Sequence, residues 1–393
     1  MRIPPLFSFI QKNFGLESRS SSQFEVPDLV TKPDYAGIRR SFKDELDMAF
    51  EEKASSLSFV KHILPDRPIM KAGIAQGIVI GGTNYIVSTQ KISYDGKREI
   101  LSIKTGKLPV LNHKDILIAF LKEHVDNRAE AVGVNFGFPL EPVIGPYDEL
   151  DGKLTRASKE HAFQEVINQP IGDLVRKAFD KDIPVTVAND TVCLALAGDG
   201  TETGSMIAGT GFNIGIKYNE RGKAVVVNLE TGNFNKFEAS ESLKTLDARL
   251  SMPGTQLFEK VISGKYLAQV FNIKAQRLGL QIDPLATSQE LSALSHENAN
   301  HTANLLSRKL LERSAFLVAA SLAGVYDFCL DKHLLRHDSE LTIIGEGSLL
   351  WKGWQYHENI EKQLRILGLP SHAIRIKHIQ NSSINGAIGL LTQ

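Results

Sequence analysis

Cysteine is nearly absent from this 393-residue chain: only Cys193 and Cys329 occur, each inside an apolar stretch. One disulfide is the most they could form, and two buried thiols in a reducing compartment suit their surroundings better. No Cys or His spacing of the metal-ligand kind appears, so no metal residues are expected. An excess of charge of one sign is missing too, with 45 Lys and Arg against 45 Asp and Glu. A sequence-tolerant nucleic-acid binder needs a basic surplus, so nucleic acid is not an expected partner. The short basic clusters Arg39-Arg40 and Arg375-Ile-Lys-His378 read as solvated surface. No window approaches the ~18–20 apolar residues of a membrane span, so no membrane is expected. The run Met1 to Ile10 has one positive charge, is broken by Pro4 and Pro5, and lacks a small-residue cleavage site. It does not read as a signal peptide, and the expected compartment is the cytoplasm.

What is present is a globular composition, 42% hydrophobic and 23% charged, over a length that suits two or three domains. After a lead-in with the polar run Ser18 to Gln23, the spacing of Leu46, Phe50, Leu57 and Phe59 predicts a helix over 42–59. Gly77 to Thr89 reads as strand, glycine turn, strand, and Met206 to Lys217 repeats that pattern about 130 residues later. Between them come a helix (114–125), a strand (131–138) stopping at Pro139, a strand (183–188) and a helix (191–197). A long apolar helix or helix pair (305–330), a strand (341–345), a further helix, a strand (374–379) and a closing helix (385–391) follow. Strands alternating with helices point to α/β, and the repeated hairpin suggests two similar domains facing one cleft.

The turns Gly81-Gly82-Thr83 and Gly209-Thr210-Gly211 expose backbone N–H groups without side-chain bulk, which suits phosphate oxygens. A plain hairpin is the equal alternative for either turn alone. Nothing matches G-x-x-x-x-G-K-[ST], and Gly209, Gly211 and Gly215 are not spaced as a dinucleotide fingerprint. Asp190 ends a strand just before a helix, where an Asp is commonly an N-cap, although ligands of α/β sheets also collect there.

Taken together, six motifs in order resemble the hexokinase family over roughly residues 40–393. Gly81-Gly-Thr-Asn84 is similar to its first phosphate loop. Phe136-Gly-Phe-Pro139, with Asp151-Gly-Lys-Leu154 and Ser158-Lys159, resembles its sugar-binding segment. Ala188-Asn-Asp-Thr-Val192 resembles the stretch with the catalytic aspartate, and Gly209-Thr-Gly-Phe-Asn213 the second phosphate loop. Asn228-Leu-Glu230 and Pro253 to Gly264, which holds Glu259, resemble the two glutamate motifs.

The resemblance implies two actin-like (ribonuclease H-like) α/β domains, small and large, around a central cleft. Residues 1–71 would join the large domain, 72–188 form the small one, and 189–393 form the large one. It implies ATP with Mg2+ and a hexose, glucose first, phosphorylated at the 6-hydroxyl as at the start of glycolysis. Asp190 would be the base; Ser158 and Lys159 would hold the sugar and the transferring phosphoryl group. Asn189, Asn213, Glu230 and Glu259 would bond the remaining hydroxyls. Gly81, Gly82, Thr83, Asn84, Gly209, Thr210 and Gly211 would cradle phosphates, and Gly345, Gly347, Ser348 and Gly386 would line the adenosine side.

The pattern breaks at the first loop, where Val79 stands at the family's metal-facing aspartate and Ile86 at an arginine. Losing one such electrostatic element costs on the order of 10²–10³ in rate. Glu346 is a candidate, by residue type alone, to replace that carboxylate. Gly137 stands for a serine, Glu160-His161 for Gly-Phe, and Thr231 for a Trp. A sugar-binding regulatory protein with little phosphotransfer is therefore the alternative function.

Overall fold

The computed structural model describes residues 33–156, 161–296, 302–336 and 339–393. Ser158, Lys159 and the lead-in lie outside them. The first helix, α1 (Tyr35–Phe50), starts earlier than the apolar spacing predicts and ends sooner. Asp34 caps it by accepting the Gly37 N–H at 2.8 Å, and Ile38, Phe42 and Leu46 form its buried face. Leu57 and Phe59 belong instead to the approach to β1 (Val60–Ile63).

A five-stranded sheet, ordered β4-β3-β2-β5-β8, organises the first part of the chain. Its strands are β2 (Gly73–Ile80), β3 (Asn84–Ile92), β4 (Arg98–Lys107), β5 (Ala131–Phe136) and β8 (Val185–Asn189). β5 is parallel to both β2 and β8 and buried on both faces, which is why it reads as a continuous apolar run. One face packs on α2 (Lys114–His124) and α3 (Ile171–Phe179) through Ile78, Ile80, Val132, Val134 and Val187. A small ribbon of β6 (Leu140–Ile144) and β7 (Leu150–Leu154) lies between.

The second sheet has six strands, ordered β1-β11-β10-β9-β12-β13. After α4 (Asp190–Leu194) come β9 (Gly204–Ala208), β10 (Phe212–Glu220) and β11 (Lys223–Asn228). A helical block follows: α5 (Glu241–Ala248), α6 (Leu257–Ile262), α7 (Gly264–Arg277), α8 (Ser288–His296) and α9 (Thr302–Asp331). β12 (Leu341–Glu346), α10 (Ser348–Lys352), α11 (Tyr356–Ile366), β13 (Ile374–His378) and α12 (Ser382–Thr392) complete the chain.

α9 is a single helix of 30 residues, not a pair. Contrary to the reading of the sequence, it is long and apolar enough to cross a membrane by length and composition. Here it is the central core helix, with 83% of its most apolar window buried and α1 and α11 packed along it. Cys193 and Cys329 are both buried and unpaired.

The last helix reaches across the expected division at residue 188. α12 returns to the five-stranded sheet and packs on β2, β5 and β8 as well as on α4. Gly133 makes that approach possible, since a Cβ there would lie 1.8 Å from the Ala387 carbonyl oxygen.

Candidate active site

The two hairpins place two glycine turns at strand ends. In the first, the Gly81 N–H donates to Asn84 O at 3.0 Å, leaving Thr83 and Asn84 exposed at the tip. In the second, the Gly209 N–H donates to Gly211 O at 3.0 Å, and Thr210 is exposed. Two segments press on the second turn: the Gly264 N–H donates to Gly209 O at 2.7 Å, and a Cβ on Gly209 would lie 3.2 Å from Gly347 Cα. Gly347 and Ser348 thus sit beside the second turn.

Gly345 and Gly386, expected to line the adenosine side, are both closely packed. A Cβ on Gly345 would lie 2.6 Å from Leu350 and 2.7 Å from Ile376, and one on Gly386 would lie 2.1 Å from the Cys193 carbonyl oxygen. Both are buried packing positions where elements touch.

At the end of β8 the roles of cap and acid are separated. Asn189, not Asp190, is the N-cap of α4, its Oδ1 accepting the Thr191 N–H at 3.0 Å. Asp190 takes the first helical position, and its Oδ1 accepts from the Thr191 N–H at 2.8 Å. Its Oδ2 lies toward the first turn: a Cβ on Gly137 would be 3.6 Å from that oxygen, 3.3 Å from Ile80 O and 3.4 Å from Gly81 Cα. Aspartate and first turn are therefore about one side chain apart, with Gly137 between them.

Around Asp190 runs a network that single-residue reading missed. The Asn213 amide donates to Thr191 Oγ1 at 2.9 Å and to Asn228 Oδ1 at 2.8 Å, while its own oxygen accepts the Thr231 N–H at 3.1 Å. Asn228 in turn donates to Glu230 Oε1 at 2.8 Å. Both amide hydrogens of Asn213 are thus taken, and in this structure it is a strut joining α4, β10, β11 and the turn after Glu230. Thr231 contributes a hydroxyl and an N–H to that strut. The one sequence signal was Asn228 ending the apolar run Ala224 to Val227.

Glu230 adopts a left-handed backbone, φ 48°, uncommon for a residue with a Cβ and the kind of local strain that clusters at sites. Burial holds its carboxyl above the usual carboxylate range; the Asn228 amide opposes this, and nearby Asp190 adds to the rise. Glu259, on α6, accepts the Phe212 N–H at 3.3 Å and lies against the second turn, its Oε2 3.2 Å from where a Gly211 Cβ would stand. Asp151 is not at the site. It is buried beneath α3, bonded to the N–H groups of Gly152 and Gly172, with Arg176 Nη2 3.8 Å away.

The metal-facing side of the first turn is closed by hydrocarbon. Val79 and Ile86 are partners across the β2–β3 ladder, and Ile384 and Ala387 of α12 cover them. The oxygens of Glu346, the candidate replacement by residue type, accept the hydroxyls of Ser382 and Ser383, each at 2.6 Å. Among the described residues no group of three His, Cys, Asp or Glu could hold a metal ion. These residues therefore make no magnesium cradle of their own; an ion with few protein ligands is one bound mainly through substrate phosphates and water.

Comparison with known proteins agrees with this geometry. The hexokinase family model matches residues 203–302 and 274–391. Hexokinase-1 of Arabidopsis thaliana is 25% identical over 63% of this chain and 54% of its own length. Human hexokinase HKDC1 is 24% identical over 89% of this chain and 45% of its own. The chain thus spans about half the length of these curated relatives. The fold is that of a hexokinase from Schistosoma mansoni complexed with glucose, with a TM-score of 0.74 at 18% identity over 91% of this chain and 94% of that one. A second hexokinase crystal structure has a TM-score of 0.68 at 20% identity, over 91% and 95%. The two-domain actin-like fold is that of the hexokinases, and the family model matches residues 203–391 of this chain.

Proposed function

We propose that the protein transfers the terminal phosphoryl group of ATP to the 6-hydroxyl of a hexose, glucose being the first candidate. The observation that carries this reading is the acid–amide network: Asp190 beside the first glycine turn, with Asn189, Asn213, Asn228 and Glu230 tied into one set. A sugar ring presents several hydroxyls that both donate and accept, and carboxylates with amides bond them directionally. Asp190 accepts the hydroxyl proton. In a loose transition state that proton leaves late, so a weak base within hydrogen-bond reach is enough. Magnesium supplies charge neutralisation on the nucleotide; the chain's own share is to orient the hydroxyl, take its proton and exclude water. A role at the entry to glycolysis in the cytoplasm accords with this chemistry and with two unpaired, buried thiols.

The test is a sugar-kinase assay with MgATP over a hexose panel, beside calorimetry with each sugar alone. Asp190→Ala is expected to lower turnover about 10²–10⁴-fold while sugar affinity changes little. Turnover indifferent to that substitution sinks the proposal. Tight sugar binding by the wild type without turnover supports the second reading, a sugar-binding regulatory protein, which the apolar closure at Val79 favours.

A further inference from the structure

His161 is 4% exposed and is the first described residue after the segment that carries Ser158 and Lys159. Its ring lies in an aromatic nest, edge-on to Phe138 at 5.3 Å and tilted against Phe163 at 5.5 Å. Packing of that kind asks only for a ring. Both nitrogens are nevertheless engaged. The Leu111 N–H donates to Nδ1 at 2.9 Å, which assigns the ring proton to Nε2. Nε2 then donates to the carbonyl of Gly82, in the first glycine turn, at 3.0 Å.

That second bond has a geometric consequence. A trans peptide is planar, with its C=O and the next residue's N–H pointing in opposite directions. Holding the Gly82 carbonyl toward His161 therefore turns the Thr83 N–H away from the small-domain interior. The next carbonyl is held as well, Thr83 O accepting the Leu108 N–H at 2.9 Å. Two successive carbonyls are tied inward, and glycines on their own would leave that peptide free to rotate.

We propose that His161 is a positioning residue for the phosphate: by holding the Gly82 carbonyl it aims the Thr83 N–H at the nucleotide. This rests on the reading of the first turn as a phosphate loop. The aim matters more in this chain than in one with charge at the loop, because Val79 and Ile86 bring none and backbone dipoles must carry the contact.

Three substitutions in the full chain separate this role from plain packing. His161→Phe keeps a ring and loses both bonds. His161→Asn keeps an acceptor at the Nδ1 position, for Leu111, and cannot reach Gly82. His161→Gln places a donor near the Nε2 position and can reach it. Calorimetry with MgATP is expected to show about 2–12-fold weaker binding for the Phe and Asn variants, the size of one hydrogen bond, with most of the loss recovered by Gln. The KM for hexose should stay within about twofold, and amide exchange at residues 81–84 should quicken in the two weak variants. A packing role predicts the reverse: His161→Phe harmless, and losses that follow thermal stability in every variant. MgATP affinity unchanged in His161→Phe, or a Gln variant as weak as Phe, overturns the proposal while the kinase reading survives. A wild type that binds no MgATP overturns both; one that binds MgATP but phosphorylates no hexose ends only the kinase reading.

Discussion

At the carboxyl end of β8, four segments meet through amides, hydroxyls and carboxylates, with Asn213 and Asn228 supplying donors and acceptors to Thr191, Thr231 and Glu230. Two strands away, at the end of β2, Val79 and Ile86 form an apolar cluster with Ile384 and Ala387. The first region gives its carboxylates donors, the Thr191 N–H to Asp190 and the Asn228 amide to Glu230. The second holds none, and its neighbours have adapted to that. The departure at position 79 is therefore not one lost side chain in an otherwise receptive loop. It is a packed apolar contact shared between two strands and the last helix.

The largest expected effect breaks that contact directly. Val79 is 9% exposed, so Val79→Asp places a carboxylate among the apolar side chains of Ile86, Ile384 and Ala387. An uncompensated buried charge costs about 3–5 kcal/mol. Asn135, the partner of Val79 across the ladder, already gives its amide to Ser383 O at 3.2 Å. Urea unfolding should show the loss, and phosphotransfer should not rise. Restoring the family's aspartate should help only together with Ile384→Ala, which opens room for water beside it. A single Val79→Asp variant that is both stable and faster would show that α12 does not close this side.

A second comparison concerns carboxylates that lie away from the cleft. Burial raises the Asp151 carboxyl to about 6, against the pull of its two backbone N–H donors and Arg176. A carboxyl with a raised folded pKa binds its proton more tightly in the native state, so its stabilising share is full below about pH 4 and is lost as pH rises to about 6. Two units correspond to about 3 kcal/mol. Chemical denaturation at pH 4 and pH 7 should show the wild type losing that much relative to Asp151→Asn across the window. A difference that stays constant with pH would mean the Arg176 contact outweighs burial.

Much of this was readable before any coordinates, for physical reasons that differ by element. The two glycine hairpins, the buried run of β5 and the strand end at Asn189 announce themselves because local backbone chemistry sets them. The start of α1 was equally local, but Asp34 as cap was overlooked in favour of apolar spacing that ran on to Phe59. The return of α12 to the other sheet was not legible, since its pattern shows an apolar helix without saying which sheet receives it. For the same reason the packing of Gly345 and Gly386 against other elements does not show in the sequence. Motif order brings out Asp190, Glu230 and the two glycine turns, which the fold sets at strand ends. What motif order does not show is the bonding of Asn228, Thr191 and His161, each tied to a distant segment.

The smallest expected effect tests whether Asn213 is a strut or a sugar ligand, and so how far the polar region depends on its own scaffolding. Asn213→Ala removes donors from Thr191 Oγ1 and Asn228 Oδ1 and an acceptor from the Thr231 N–H. Leaving such groups unpaired costs about 1–3 kcal/mol of stability. If Asn213 acts through Asn228, then Asn228→Ala should weaken hexose binding by a similar factor, and the double variant should lose little more than either single one. That corresponds to a coupling of about 0.5–3 kcal/mol in a double-mutant cycle read by sugar calorimetry. If Asn213 instead releases Thr191 to bond the sugar itself, the two losses should add. Additive losses would make the network a resting arrangement that the hexose breaks, and coupled losses would make it the rigid frame that aims Glu230 and Asp190.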